Sequence, residues 1–235
     1  MNRFTKTAIA GSMSCVAAVA FGQNLLVDPC FETSQNPLPV LGFLASGLPG
    51  TAGMWGVEAA DIAYGPQGDG VSPYEGNAML RAWDDGLTWS QNWQFVDVTS
   101  YAALIDAGLA VANASAFFNA HLPVPPGPAD VAINIHYSTD PNGLWGTYSL
   151  AFGSGAFTLD NNAATWEQVT VNGVLPVGTR FVLFELMFRD DPLRMPGAVL
   201  YGYADCASLE IVPEPATMAA LLPGLLLFLR RRARR

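Results

Sequence analysis

Apolar and polar side chains alternate with a period of two along most of this chain, the pattern of half-buried β-strands rather than of helices. It predicts ten strands, at residues 24–32, 54–64, 77–83, 88–98, 109–119, 131–138, 147–152, 165–171, 180–188 and 198–211. A turn at Asp28-Pro29 interrupts the first. One short helix is expected, from Ser100 as N-cap through Ile105, closed by Gly108. The alternation also assigns faces. In 131–138, Val131, Ile133, Ile135 and Tyr137 share one side and Ala132, Asn134, His136 and Ser138 the other. In 180–188, Val182, Phe184, Leu186 and Phe188 oppose Phe181, Leu183, Glu185 and Met187. Glu185 stands among bulky apolar groups, and burying such an acid without partners costs free energy, so it should face a partner, water or a ligand.

The two ends follow other patterns. Arg3 and Lys6 precede an apolar run from Ala8 to Phe21, and Ala20-Phe21-Gly22 offers small residues where a signal peptidase reads. Residues 1–22 therefore read as a cleavable signal helix, cut before Gln23. Near the other end, Pro213-Glu214-Pro215 precedes the apolar residues 216–229 and the cluster Arg230, Arg231, Arg232, Arg234 and Arg235. A helix over those 14 residues would span about 21 Å, short of a hydrocarbon core of about 30 Å. The arginines favour the cytoplasmic side, and the prolines mark an extended, accessible stretch. The tripartite tail of residues 213–235 resembles the PEP-CTERM sorting signal. The resemblance implies recognition by an exosortase, transient anchoring in the inner membrane through the short helix, and delivery to the envelope surface or extracellular matrix, often of bacteria that make exopolysaccharide.

Composition narrows what lies between, residues 23–212. Charged residues are 13% of the chain, against roughly 25% in an average soluble domain, and 51% are apolar, so the segment must pack rather than stay disordered. The 23 glycines and 17 prolines suit many turns between short strands. Residues 23–212 hold four arginines, no lysine and nineteen acids, a net of −15. Such a surface repels nucleic acid and leaves carboxylates free for divalent cations.

Read in order, Asn24-Leu25-Leu26-Val27-Asp28-Pro29-Cys30-Phe31-Glu32, Tyr74-Glu75-Gly76-Asn77-Ala78-Met79-Leu80, Gln94-Phe95-Val96-Asp97-Val98 and Tyr203-Ala204-Asp205-Cys206-Ala207-Ser208-Leu209-Glu210-Ile211 resemble a carbohydrate-binding-module jelly roll of the galactose-binding-like kind. The resemblance implies an all-β, antiparallel jelly-roll sandwich over residues 24–211, with first and last strands adjacent. Cys30 and Cys206, the cysteines left after export, would then pair, Cys15 being removed with the signal. It also implies a structural calcium at that edge, on Glu32, Glu75 and Asp205. Cysteine at 206 removes one ligand that family members carry, so a disulfide in place of the ion is the alternative.

Catalytic signatures are missing from the sequence. His121 and His136 fit no metal-ligand spacing, and no nucleophile elbow, zinc-protease or phosphate-loop motif occurs. A pair of carboxylates could serve a glycoside hydrolase, but a chain this rich in acids supplies pairs by chance. Sugar recognition uses aromatic surfaces with amide and carboxylate groups. Trp83, Trp89, Trp93 and Trp145 could form such a platform, with Asn134, His136 and Glu185 as polar partners. Against this, a tryptophan in a sandwich commonly packs in the core, and Glu185 could pair with Arg180 or Arg189. The expectation is an exported, non-enzymatic envelope or matrix protein that binds carbohydrate or exopolysaccharide. The alternatives are a purely structural matrix protein and, less favoured, a glycoside hydrolase.

Overall fold

Phe181–Arg189 and Tyr201–Pro213 are the central strands of two antiparallel sheets. The computed structural model describes residues 22–33, 51–83, 89–121, 129–140, 148–189 and 201–214. Eleven strands lie within them: β1 (Trp55–Val57), β2 (Ala60–Tyr64), β3 (Ala78–Trp83), β4 (Trp89–Asp97), β5 (Ala110–Ala120), β6 (Asp130–Ser138), β7 (Ser149–Gly153), β8 (Phe157–Thr158), β9 (Glu167–Val174), β10 (Phe181–Arg189) and β11 (Tyr201–Pro213). Sheet one runs β1-β4-β10-β6-β7, with β8 also on β6; sheet two runs β2-β3-β11-β5-β9. From β4 onward the chain passes repeatedly between sheets: β4, β6 and β10 lie in one, β5, β9 and β11 in the other. This is the jelly-roll sandwich.

The inner faces divide the work by size. β5 sends Ala110, Ala112, Ala114, Ala116, Phe118 and Ala120 inward, and β11 adds Ala204, Ala207, Leu209 and Ile211. The bulk comes from sheet one, as Ile133 and Ile135 of β6 and Phe184, Leu186 and Phe188 of β10. Interiors pack at crystal-like density, so a small-residue face calls for a large-residue face opposite. Gly202 of β11 shows how close the fit is, because a β-carbon there would collide with the Phe188 ring. Phe188 also meets Phe118 edge-on, with ring centroids 5.5 Å apart.

Three expectations change. Residues 24–32 form no strand; bends and a turn run from 26 onward, with Asp28 and Phe31 at positive φ, which breaks regular strand pairing. The segment still lies beside β11: Leu25 N donates to Leu209 O at 2.8 Å, and Ala207 N to Pro29 O at 2.9 Å. The expected strand at 54–64 is two strands in different sheets, β1 and β2. Ser100 is not a helix N-cap but sits inside a 3-10 turn, Thr99–Tyr101, that leads into α1 (Ala102–Asp106). Gly108 follows with φ 71°, the left-handed conformation expected of a closing glycine.

At the far end, Pro213 closes β11 opposite Ala110, and Glu214 N donates to Leu109 O at 2.8 Å. The expected signal helix up to residue 21, and Pro215, the apolar stretch and Arg230, Arg231 and Arg232 of the tail, lie outside the described residues.

Candidate functional site

The outward side of sheet one carries a polar cluster amid aromatic groups. Register fixes its centre: Glu185 of β10 lies opposite Trp93 of β4 on one flank and Asn134 of β6 on the other. β1 places Gly56 beside Trp93, and β7 places Gly153 beside Asn134. One row across five strands therefore reads Gly56, Trp93, Glu185, Asn134, Gly153. The next row holds Phe95, Leu183, His136 and Leu150. His136 lies diagonal to Glu185, within reach of a long side chain.

Glu185 is only 3% exposed, yet its carboxylate has donors on every side. Trp93 Nε1 donates to Oε1 at 2.9 Å, and Asn134 Nδ2 donates to Oε2 at 2.8 Å. His136 Nε2 lies 2.9 Å from Oε2. A carboxylate only accepts, so Nε2 carries the hydrogen and Nδ1 is the nitrogen left for other partners. Burial pushes the Glu185 pKa up, but the hydrogen bonds from His136, Asn134 and Trp93, with the His136 charge, outweigh it and hold the group below its ordinary value. The acid is therefore an anion sealed by its neighbours.

Around it the face is apolar. Trp93, Phe95, Phe181 and Leu183 are buried together with Tyr148 against them, Phe95 stacks on Phe181 at 5.0 Å, and Leu150 stands exposed. The His136 side chain keeps 24% exposure, whereas Trp93 keeps 4%. Asn134 gives its second amide hydrogen to Met187 Sδ at 2.7 Å and directs Oδ1 at Gly153, where a β-carbon would collide with it. The glycine thus lets the amide lie flat on the sheet.

Four of the expected ligand residues meet here: Trp93, Asn134, His136 and Glu185. Trp89 lies on the same face at the far end of β4, beneath the Arg189 guanidinium, 5.6 Å from the ring centroid. Trp83 ends β3 in sheet two and does not join the cluster. Trp145 lies outside the described residues. The expected arginine partners of Glu185 are engaged elsewhere, Arg180 with Asp106 and Arg189 with Asp130. Gly56 and Gly153 escaped the sequence reading, because only the pairing register shows that they end the row.

A second acidic site lies at the β11 bulge, where a disulfide joins Cys30 to Cys206 across 176 positions. β11 bulges between Asp205 and Ser208, and Cys206 takes φ 43°. Asp205 is fully buried: Oδ2 accepts from Tyr74 N (2.9 Å) and Glu75 N (3.2 Å), and Oδ1 from Cys206 N (2.8 Å). Burial dominates over these bonds, and with the nearby charge of Glu32 it raises the Asp205 pKa to about 7. Glu32 Oε1 accepts from Asn77 N and Ala78 N, each at 2.8 Å. Calcium takes six to eight oxygens. Here the carboxylates of Glu32 and Asp205 are spent on backbone N–H groups, and Glu75 Oε2 turns to Cys206 Sγ at 3.5 Å. Calcium would have to share or displace these bonds to use the three carboxylates together.

No family model and no curated protein matches this chain. Solved structures do resemble it at low identity. A TmCBM61 module in complex with β-1,4-galactotriose shares 13% identity over 80% of this chain and 97% of that one, with a TM-score of 0.45. A family 16 carbohydrate-binding module shares 16% over 79% and 99%, at 0.44. The CBM22-1 xylan-binding domain of Paenibacillus barcinonensis Xyn10C shares 14% over 68% and 85%, at 0.41. Similarity this low gives no residue of either site a counterpart.

Glu185→Gln should lower stability by about 1–3 kcal/mol in urea titrations at pH 7, because an amide turns a donor toward groups that must donate. The Glu185 pKa is depressed by folding, so its contribution is present above the unfolded carboxylate range and is lost as pH falls through the folded value. The gap between wild type and variant should narrow in strong acid; a constant gap would refute the ionised reading. At the other site, Cys206→Ser should cost about 2–5 kcal/mol. The oxidised protein should melt at the same temperature with and without a calcium chelator; a drop on chelation would restore the ion.

Proposed function

We propose that this chain is an exported, non-enzymatic protein of the envelope or extracellular matrix that binds carbohydrate on the outward face of sheet one. One observation carries the binding reading: an indole, an amide and an imidazole are locked around a sealed carboxylate on a rigid sheet, in a row with glycine at both ends. In this reading His136 and Asn134 meet the ligand, and Glu185 and Trp93 hold them in place. Fixed polar groups on an apolar face suit a hydroxyl-rich ligand with apolar C–H surfaces, since the ordering cost is met before binding. The acidic surface favours uncharged polysaccharides over polyanions.

The non-enzymatic reading is supported by the state of the acid at the centre of the cluster. Glu185 accepts from three donors within the chain and is held as an anion, which suits neither a nucleophile nor a proton-transfer group. The exosortase assignment rests on the ordered tail of Pro213-Glu214-Pro215, apolar stretch and arginine cluster.

Two experiments test this. The full chain should be retained by at least one uncharged polysaccharide in a pull-down, and His136→Ala or Asn134→Ala should weaken retention by about tenfold or more, on the scale of one or two lost hydrogen bonds. Retention by none, or retention unchanged in both variants, would leave the purely structural role. Mass spectrometry of the native protein from cell surface and medium should find it beginning at Gln23 and lacking the arginine cluster. Recovery with Arg230, Arg231 and Arg232 still attached would overturn the sorting assignment.

A further inference from the structure

The β11 bulge, where the resemblance implies a hard cation, instead gathers softer ligands. Among the described residues, Cys30, Cys206 and Glu75 form the group whose ligand atoms all lie within 4.8 Å of one another. All three are at least partly exposed, so an ion could reach them. We propose that in the reduced chain these three residues bind a borderline divalent cation of the Zn2+ type, so that the bulge is closed either by a disulfide or by a metal.

Four-coordinate zinc sits about 2.3 Å from sulfur and 2.0–2.2 Å from carboxylate oxygen, which places ligand atoms roughly 3.3–3.8 Å apart. The observed separations need only small side-chain shifts once the sulfurs part. Two thiolates with one carboxylate suit zinc better than calcium or magnesium. The fourth position is left to water. The Glu32 carboxylate, held by Asn77 N and Ala78 N in the same loop as Glu75, adds negative potential, which further favours a dication.

The site does not depend on the sulfur–sulfur bond for its assembly. Hydrogen bonds that involve no sulfur hold the two cysteine segments together. Ala207 N donates to Pro29 O, Asn24 Nδ2 to Ala207 O (2.9 Å), and Leu209 N to Asn24 Oδ1 (3.0 Å). Asp205 ties both Glu75 N and Cys206 N to one carboxyl group. Loss of the disulfide therefore leaves the three ligand-bearing residues anchored, in a domain class whose stability of about 5–15 kcal/mol exceeds the expected cost.

The chemistry balances with a dithiol as reductant. It delivers two electrons and two protons, the Cys30–Cys206 bond breaks to two thiols, and the reductant closes its own disulfide. Metal binding then forms two S–Zn bonds and releases the two thiol protons to solvent. A loaded site holds both sulfurs and so opposes reoxidation.

The test uses the full chain in a Cys15→Ser background, reduced anaerobically, freed of reductant and titrated with Co2+ alone. Expected are a thiolate-to-cobalt charge-transfer band with the visible absorption of tetrahedral Co2+, saturating at one equivalent and displaced by Zn2+. Glu75→Ala should weaken Co2+ binding at least tenfold, the scale of losing even an outer-shell partner. Zn2+ should slow reaction of the thiols with a disulfide reagent. Absence of the charge-transfer band, unchanged affinity in Glu75→Ala, the same band in urea, or loss of near-ultraviolet circular dichroism on reduction would each overturn the proposal. None of these outcomes bears on carbohydrate binding.

Discussion

A carboxylate moved out of water costs several kcal/mol unless the protein returns the hydrogen bonds it loses. Among the described residues each sheet of this sandwich carries one such buried acid, Glu185 on β10 and Asp205 on β11. They meet the cost differently. Glu185 recruits side chains from both neighbouring strands, and their donors overcome burial and keep it charged. Asp205 recruits backbone N–H groups from one loop and from its own bulge, but burial prevails. The first arrangement requires Trp93, Asn134 and His136 at fixed register positions. The second requires the 74–78 loop to fold back onto β11. Much of what is specific to this sandwich follows from these two solutions.

The same division separates the two outward faces. On sheet two, Tyr203 donates to Asp69 Oδ2 at 2.6 Å, Trp166 Nε1 donates to Ser72 O at 3.0 Å, and Tyr74 stacks on Phe117 with centroids 3.8 Å apart. The 65–77 segment thus lies against that face and uses its polar groups. On sheet one, the polar groups come from the strands themselves and cluster around a single acid. Strand-borne groups are positioned more rigidly than loop-borne ones, which is what recognition of a flexible, weakly binding polymer would require.

The strand pattern was legible wherever one face is buried. In β6 and β10 the alternation named the core residues and set Asn134, His136 and Glu185 on the opposite face, where they lie. It could not say which of them meet, because cross-strand register is a long-range property. Hence Trp83 and Trp89 were grouped with Trp93, although they occupy another sheet and another end of the strand. The first segment misled for a local reason: Asn24-Leu25-Leu26-Val27 has strand composition, but Leu25 and Leu26 join the core while Val27 stands exposed, and the backbone turns at Asp28 and Phe31. The adjacency of Cys30 and Cys206 came from the family resemblance, and the bond is present.

β11 joins β3 to β5 at the centre of sheet two, and it is the last strand along the described residues. Sheet two therefore cannot close until the last described strand is in place, and its central pairings span long stretches of sequence. Such non-local topology folds slowly. Until β11 is in place, β3 and β5 each show an unpaired edge on which misdirected strand pairing can begin.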